Sequence, residues 1–403
     1  MTPRCPGTAT LLLLCVFGCA TPQSGSHGID PGDRPLRLAE QLPGSSELRR
    51  QLLACRDMNW RRSDFAIAHR GAPLGFAEHT AEGYRAAAAM GAGLIECDVT
   101  FTRDEALVCR HSQCDLHRTT NILKTPLAAR CRKPFVPAGP DGAASAECCT
   151  SDISLAEFRT LCGRPDVVDA SATNVDEYLT PLVSPVNDVV PSCGKLMTHA
   201  ESIALFDTLG VKFVPELKAP MVPMPFGEGL TQAAYATRLI DEYRAAGIDP
   251  ARVFPQSFNQ NDVVHWIEQH PEFAANAVYL DGRGRNPDFE PTRASFDELR
   301  AQGFTIVAPP MPLLLVLDEE GTLQPSPYAI NARAAGLEII TWTFEAGAPL
   351  DPNNFMYANV RPMMTSEGRM LEVLHALHTK ARVRGVFTDW AGTVSYYANC
   401  FDL

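Results

Sequence analysis

The sequence predicts an α/β fold: a closed (β/α)₈ TIM barrel with a cysteine-rich insertion after a hairpin that follows the second strand. Amphipathic helical segments such as THAESIALFDTLG separate most of the strand-like runs, and each ends on a glycine just before the next run. Alternating strands and helices favour a parallel sheet, and eight such units favour a closed barrel. The eight short apolar runs are 65–70, 93–99, 212–218, 252–258, 277–281, 304–308, 338–344 and 385–389.

A ninth apolar run, 106–111, follows the second after only a short connection ending in TRDE. Because parallel neighbours need a crossover of a dozen or more residues, this run is predicted to return antiparallel as a hairpin. The long irregular stretch that follows, about 112–197, is rich in proline, glycine and cysteine. Stretches of this kind are usually functional lids or small inserted subdomains.

The N-terminus has the features of an export signal. A short basic start precedes an apolar stretch that is too short to span a membrane, which predicts a signal peptide at 1–18. The ending Val16-Phe17-Gly18-Cys19 resembles a bacterial lipobox, which would make Cys19 an acylated first residue, and an ordinary signal cleavage nearby is the alternative. We predict a lipid-anchored tether at 19–47 and one barrel domain at 48–403.

The cysteine count indicates the redox compartment, and the net charge limits the kinds of partner. Thirteen cysteines, ten of them after Cys19, indicate disulfides in an exported chain, and a zinc site is the competing interpretation. The formal charge of -12 and the lack of a basic block argue against a nucleic-acid partner.

Polar residues stand where the predicted strands end, which is the edge where a barrel builds its site. His111 would join this edge from the hairpin. Residues two apart on a strand share a face, so Glu96 lies beside Asp98, and Glu216 beside Lys218. The other residues at these ends are His69, Arg70, Trp342 and Asp389.

Three converging carboxylates, Glu96, Asp98 and Glu216, would repel one another unless a cation lay among them. Oxygen ligands suit Ca²⁺ or Mg²⁺, although ordinary salt bridges to Arg70 and Lys218 are the alternative. His69 and His111 are candidates for general acid and base catalysis. With an arginine suited to a phosphate, the set describes a pocket for a small phosphodiester.

An ordered set of motifs resembles the glycerophosphodiester phosphodiesterase family, and the likeness spans roughly 65–395. The motifs are HRG at 69–71, EHT at 78–80, IECDVTFTRD at 95–104, LVCRH at 107–111, HRTTN at 117–121, PELK at 215–218, QSF at 256–258, WTF at 342–344 and GVFTDW at 385–390.

The resemblance implies a barrel enzyme that hydrolyses glycerophosphodiesters to sn-glycerol 3-phosphate and an alcohol. By position, His69 and His111 match the catalytic histidines, and Arg70 and Lys218 match the phosphate-binding arginine and the active-site lysine. Trp342 is assigned to substrate binding or to filling the barrel mouth. The metal ligands match Glu96, Asp98 and Glu216, and the insertion resembles the periplasmic type, whose metal is usually Ca²⁺.

Two positions depart from the family pattern. Ser112 follows His111 where the family usually has aspartate, and His79 stands where the family has asparagine. Neither change removes a group assigned to the chemistry.

Two other functions remain open. The same barrel could act as a phospholipase D-like enzyme on lysophospholipids or sphingomyelin, or serve as a lipoprotein that binds without catalysis. In each case we expect an exported protein, periplasmic or anchored to the outer membrane through Cys19.

Overall fold

The computed structural model describes Met1 and residues 28–140, 142–179 and 193–403, and within these ranges the predicted barrel is present. Eight parallel strands close on themselves, and the strand after the second pairs antiparallel with it. The predicted barrel and the predicted hairpin are both confirmed. The predicted signal peptide at 1–18, apart from Met1, and the predicted acylation site Cys19 lie outside the described residues.

The described residues form fifteen strands, eight of which, β1, β2, β8, β9, β10, β11, β14 and β15, build the barrel. In chain order from β1 to β15 the strands are Ser63–Ala68, Ala92–Phe101, Leu107–Cys109, Lys133–Val136, Ser145–Glu147, Cys162–Gly163, Gly194–Lys195, Lys212–Leu217, Gln256–Ser257, Val278–Leu280, Ile306–Ala308, Leu315–Leu317, Leu323–Pro325, Glu338–Phe344 and Gly385–Thr388.

Helices of the described residues follow most barrel strands and cover the outside of the barrel. The α-helices α1 to α13 are Arg34–Glu40, Glu47–Ala54, Ala81–Ala89, Leu116–Thr119, Leu155–Phe158, Val175–Tyr178, His199–Leu209, Gln232–Ala245, Gln260–Gln269, Arg293–Ala301, Pro327–Ala334, Met370–Ala376 and Ala391–Cys400. Among the described residues, no helix combines the length and the hydropathy needed to cross a bilayer.

Helix α7 shows how the sequence sets these boundaries. Thr198 and Glu201 form a capping box at its start, and Gly210 ends it in the left-handed conformation at φ 67°. Strand β8 begins two residues later, so the glycine predicted at the end of this helix is the C-cap that turns the chain back into the barrel.

The barrel interior is a packed apolar core that leaves its upper end to polar residues. Side chains from all eight barrel strands or their flanks meet there, among them Ile67, Leu94, Val214 and Ile340. Along β2 the side chains alternate, so Leu94, Glu96 and Asp98 face the interior while Cys97 packs on the outer layer. The buried carboxylates therefore continue the inner face upward to the carboxyl ends of the strands.

All ten cysteines after Cys19 form disulfides in the described residues, which excludes the zinc interpretation. The six cysteines of the insertion pair among themselves, and the other two bonds tie the hairpin to β2 and the N-terminal segment to α13. The pairs are Cys55–Cys400, Cys97–Cys109, Cys114–Cys149, Cys131–Cys148 and Cys162–Cys193. Disulfides in this number are typical of exported proteins.

The insertion at about 112–197 has a small apolar core of its own. Its described residues form short helices and two-stranded pairs around Leu116, Ile153, Phe158 and Tyr178. Its backbone also bonds to the barrel, since Arg103 N–H donates to the Ile153 carbonyl at 2.8 Å. The insertion is thus an ordered subdomain over the barrel rim.

The N-terminal segment differs from the tether that we predicted at 19–47. Helix α1 packs on the barrel, with Leu38 1% exposed, and Arg34 of this helix reaches the carboxylate of Glu345 at 2.7 Å. The folded part therefore includes residues 30–47, which precede the predicted boundary at residue 48. A segment rich in proline and glycine can contain a helix when one face of that helix is buried against the barrel.

Candidate active site

The predicted site residues converge at the carboxyl ends of the barrel strands, around a cavity of about 640 Å³. Asp98 lies just beneath the cavity, within ion-pair distance of Lys218. The remaining seven residues line it: His69, Arg70, Glu96, His111, Glu216, Lys218 and Trp342.

Three buried carboxylates form the acidic cluster of the site. Glu96, Asp98 and Glu216 each offer an oxygen, and these oxygens lie within 4.8 Å of one another. Burial, together with the neighbouring carboxylates, raises the pKa of Glu96 well above its usual range, and burial raises the pKa of Glu216 to about 7. Such a cluster is costly when it is fully ionised and nothing offsets its charge.

A divalent cation fits this cluster. Asp98 Oδ1 is buried, accepts no hydrogen bond, and has Lys218 Nζ at 3.8 Å as its nearest ion-pair partner. A hard cation bound by three carboxylate oxygens would satisfy that atom and offset the repulsion. Lys218 also pairs with Glu216 at 2.7 Å, so the salt bridges of the alternative interpretation coexist with the cluster.

The Arg70 backbone and Gln256 hold Glu96 in place. The backbone N–H of Arg70 donates to Glu96 Oε2 at 3.0 Å, and the Gln256 amide donates to Oε1 at 2.8 Å. Arg70 adopts φ 53°, a left-handed conformation that is uncommon for a residue with a side chain. Such strain is found at functional sites, where the surrounding structure over-determines it.

Glu78 links two guanidinium groups beneath the cavity. Its two oxygens accept from Arg70 Nη1 at 3.0 Å and Arg110 Nη2 at 2.9 Å, and Arg110 is fully buried. Burial alone would raise the pKa of Glu78, but the two guanidiniums outweigh burial and hold the pKa at about 2. The buried carboxylate stays ionised and fixes the position of the Arg70 side chain.

His69 is oriented by a residue on the last barrel strand. Its Nδ1 lies 2.6 Å from Asp389 Oδ1, and its Nε2 lies 4.0 Å from Glu96 Oε2. A carboxylate accepts the Nδ1 proton, which leaves Nε2 to exchange protons on the cavity side.

His111 is a second imidazole in the same cavity. Burial lowers the pKa of His111 well below its usual value, and the nearby charges of Arg70 and Lys218 lower it further. The Cys97–Cys109 disulfide ties the hairpin that carries this residue to β2. The imidazole is therefore neutral near pH 7 and able to accept a proton.

The two departures from the family pattern have different surroundings. His79 is fully buried between Asp98 Oδ2 at 2.8 Å and the Tyr84 hydroxyl at 2.9 Å, and burial lowers its pKa. A neutral His79 can donate a hydrogen bond to Asp98, as the side-chain amide of an asparagine can. Ser112 contacts Met221 at the rim and makes no contact with the imidazole of His111 among those observed.

Trp342 lines the cavity and is held by two contacts. Its indole N–H donates to the Ala308 carbonyl at 2.8 Å, and its ring meets Phe258 edge-on at 5.8 Å.

Four residues that complete the site had no role predicted from the sequence. Asp389 was noted at a strand end, whereas Glu78, Arg110 and Gln256 were not singled out. Each of the four stands within a quoted motif, GVFTDW, EHT, LVCRH or QSF, so these motifs are the sequence signal that could have identified them.

The fold and the site define a (β/α)₈ barrel whose mouth carries imidazoles, cationic side chains and a buried acidic cluster. The family model described as "Glycerophosphoryl diester phosphodiesterase family" matches residues 69–393. The chain belongs to this family and is a phosphoric diester hydrolase.

Known proteins similar to this chain include two sequence relatives and one solved structure. "Extracellular protein" from Arthroderma benhamiae is 39% identical over 244 residues, which are 59% of this chain and 100% of that protein. "Probable glycerophosphodiester phosphodiesterase 1" from Mycobacterium tuberculosis is 49% identical over 49 residues, 12% of this chain and 18% of that protein. A crystal structure of a candidate glycerophosphoryl diester phosphodiesterase from Silicibacter pomeroyi has a TM-score of 0.56 at 18% identity, covering 87% of this chain and 98% of that one.

Proposed function

We propose that this enzyme hydrolyses small glycerophosphodiesters to sn-glycerol 3-phosphate and an alcohol, by acid and base catalysis from two histidines. One observation carries the proposal: two imidazoles, two cationic side chains and a buried acidic trio meet around a single cavity. Each group supplies what phosphodiester cleavage needs, which is charge stabilisation at phosphorus and proton transfer on both sides.

In the proposed first step His111 accepts the proton of a glycerol hydroxyl as that oxygen bonds to phosphorus, which forms a cyclic phosphate. The bond from phosphorus to the departing alkoxide breaks, and His69 Nε2 gives that alkoxide a proton. Water then opens the cyclic phosphate: His69 accepts the proton of the water, and His111 returns its proton to the glycerol oxygen, which gives sn-glycerol 3-phosphate. The roles follow from the neutral state of His111 and from the Asp389 contact at 2.6 Å that leaves His69 Nε2 available. Asp389 acts as a positioning residue.

Arg70 and Lys218 bind the non-bridging oxygens of the phosphate in this proposal. Their positive charges persist because buried carboxylates surround them: burial by itself lowers the pKa of both groups, but Glu78 and Asp98 raise that of Arg70, and Asp98 and Glu216 that of Lys218. Trp342 contacts the glycerol or alcohol half of the substrate.

Glu96, Asp98 and Glu216 are the proposed metal ligands, with Ca²⁺ favoured over Mg²⁺. When bound, a divalent cation would offset negative charge on the phosphate as cleavage proceeds. His79 and Gln256 would hold the ligands Asp98 and Glu96 in place.

The proposed location is outside the cytoplasm. Five disulfides in the described residues and a relative named "Extracellular protein" support export. Anchoring through Cys19, in the periplasm or at the outer membrane, is the finer form of this proposal.

Release of sn-glycerol 3-phosphate from glycerophosphoglycerol by the purified protein tests the function. We expect turnover by the wild type, and a loss of at least about a hundredfold in His69→Asn, the scale of a general acid or base. The matched control is His265→Asn, because His265 lies on α9 and bonds to Thr237 away from the cavity. Unchanged activity in a folded His69→Asn variant would reject the role of His69.

A lysophospholipid is the second candidate substrate, because part of the cavity wall is apolar. Phe258, Leu280 and Met356 line it, and Met221 at its rim is 48% exposed. Release of choline from lysophosphatidylcholine faster than from glycerophosphocholine would favour this function.

A further inference from the structure

The substrate cavity contains a third cationic side chain on the side opposite the reaction centre. Arg285 lines the cavity from the segment that follows β10. In the closed barrel β10 is four strands from β1 in either direction, and β1 is the strand that ends at His69 and Arg70. Arg285 therefore faces the reaction centre across the width of the barrel mouth.

Arg285 differs from the other cavity cations because no carboxylate offsets its charge. Arg70 pairs with Glu78 and Lys218 pairs with Glu216, whereas no acidic side chain in the described ranges lies within ion-pair distance of Arg285. Its near neighbour Arg283 is tied to Asp281 at 2.7 Å. The charge of Arg285 is thus available to a ligand.

Contacts with the protein limit the positions that the Arg285 guanidinium can take. Its central carbon lies 5.0 Å from the centre of the Phe258 ring, and Phe258 packs edge-on against Trp342. A guanidinium stacked on a ring keeps its N–H donors directed along its edge, where they can bind a planar or tetrahedral anion. The backbone N–H of Arg285 closes a turn onto Gly282 at 3.0 Å.

We propose that Arg285 is a specificity residue that binds a second anionic group, a phosphate or carboxylate, on the alcohol half of the phosphodiester. This inference rests on the proposed function, in which Arg70 and Lys218 hold the scissile phosphate. A diester spanning the cavity then brings its alcohol half to the Arg285 side.

The same geometry disfavours a substrate with a cationic alcohol such as choline. An ammonium group would bind best on an aromatic face, but Arg285 already stacks on Phe258 and repels like charge. Asp262, the carboxylate that lines this part of the cavity, is already bonded by Gln232 and Ser257. The cavity therefore selects for negative charge at this end.

A pair of substrates that differ by one phosphate tests the proposal. We expect the wild type to cleave glycerophosphoinositol 4-phosphate with a kcat/KM about tenfold above that for glycerophosphoinositol, the scale of one charge-assisted hydrogen bond. Arg285→Gln should abolish this preference, because it should lower kcat/KM for glycerophosphoinositol 4-phosphate about tenfold more than kcat/KM for glycerophosphoinositol. The same variant should gain activity on glycerophosphocholine, and Arg285→Lys should keep part of the preference.

The matched control is Arg293→Gln, because Arg293 is an exposed arginine on α10 paired with Asp297 outside the cavity. Equal kcat/KM for the two inositol diesters in the wild type, or a preference that survives in Arg285→Gln, would overturn the role of Arg285 alone. Failure to cleave any glycerophosphodiester would overturn the proposed function and this inference together.

Discussion

Single residues beneath the cavity set the charge state of the groups above them. Glu78 is the clearest case, because it lies between Arg70 and Arg110 and is only 2% exposed. Removing one partner of a buried ion pair leaves an uncompensated charge, which costs several kcal/mol.

Glu78→Gln should destabilise the protein by about 3 kcal/mol at pH 7, given a pKa lowered to about 2 in the folded state. The contribution of a carboxyl with a lowered pKa is complete above its unfolded pKa and is lost as pH falls through its folded pKa. The difference between wild type and variant should therefore shrink between about pH 4.5 and pH 2.

Urea unfolding followed by circular dichroism at pH 7 and pH 3 measures this difference. Glu298→Gln, at an exposed glutamate on α10, is the control and should leave the free energy of unfolding nearly unchanged at both values. An equal loss from Glu78→Gln at pH 7 and pH 3 would contradict the ionised state of Glu78.

The lowered pKa of His111 determines the acid side of the expected pH profile of kcat/KM. Because burial and two nearby cations lower its pKa, kcat/KM should keep its plateau well below pH 6.5 if neutral His111 is the base. Lys218→Met removes one of those cations, so the acid limb of the residual activity should move to higher pH. An acid limb that does not move would argue against His111 as the titrating base.

The sequence identified the groups that touch the cavity because strand ends and two-residue spacing place them there. It did not assign Glu78, Arg110 or Gln256, because their contribution depends on contacts across strands far apart in the chain. Glu78 and Arg110 are 32 residues apart, and Gln256 reaches Glu96 over 160 residues. Such partners become evident only when the register of the barrel is known.

At the scale of elements, the hairpin of β2 and β3 delivers His111 to the barrel mouth. Strand β3 has only three residues, and the Cys97–Cys109 disulfide ties it to β2. The hairpin could be predicted from its short connection, whereas the pairing of the cysteines could not be read from spacing.

Replacing both cysteines, Cys97→Ser and Cys109→Ser, should lower the free energy of unfolding by about 3 kcal/mol, the chain-entropy value for a loop of this size. It should also lower kcat more than KM, since His111 would be held less firmly. Steady-state kinetics and thermal unfolding measure the two effects. A variant with wild-type kcat would show that the disulfide does not position His111.

Helix α1 is an element that the sequence did not predict. The helix has seven residues and begins beside a proline, so its periodicity is too short to separate it from a flexible tether. Its stability comes from the barrel surface that buries Leu38 and from the pairing of Arg34 with Glu345.

Leu38→Ala should destabilise the protein by roughly 2–5 kcal/mol, as expected for a fully buried leucine. Arg37→Ala, at an exposed position of the same helix, is the control and should have little effect. Equal melting temperatures for Leu38→Ala and wild type would show that the helix is dispensable for the fold.

At the scale of the whole molecule, the protein has a strongly negative net charge but places cationic side chains around its cavity. The formal charge is -12, yet Arg70, Lys218 and Arg285 all face one cavity. Local placement of charge, rather than net charge, governs the binding of an anionic substrate. The barrel was predictable because eight strand-and-helix units specify a closed sheet. The hairpin was predictable from the short connection before 106–111, and the insertion from the long irregular stretch that follows.

The most direct measurement is hydrolysis of glycerophosphoglycerol after chelation and after return of Ca²⁺, in wild type and in Glu216→Gln. We expect chelation to abolish wild-type activity and Ca²⁺ to restore it, while Glu216→Gln stays inactive or needs far more Ca²⁺. Activity that resists chelation, together with a fully active Glu216→Gln, would contradict the claim that the acidic trio binds a cation for phosphodiester cleavage.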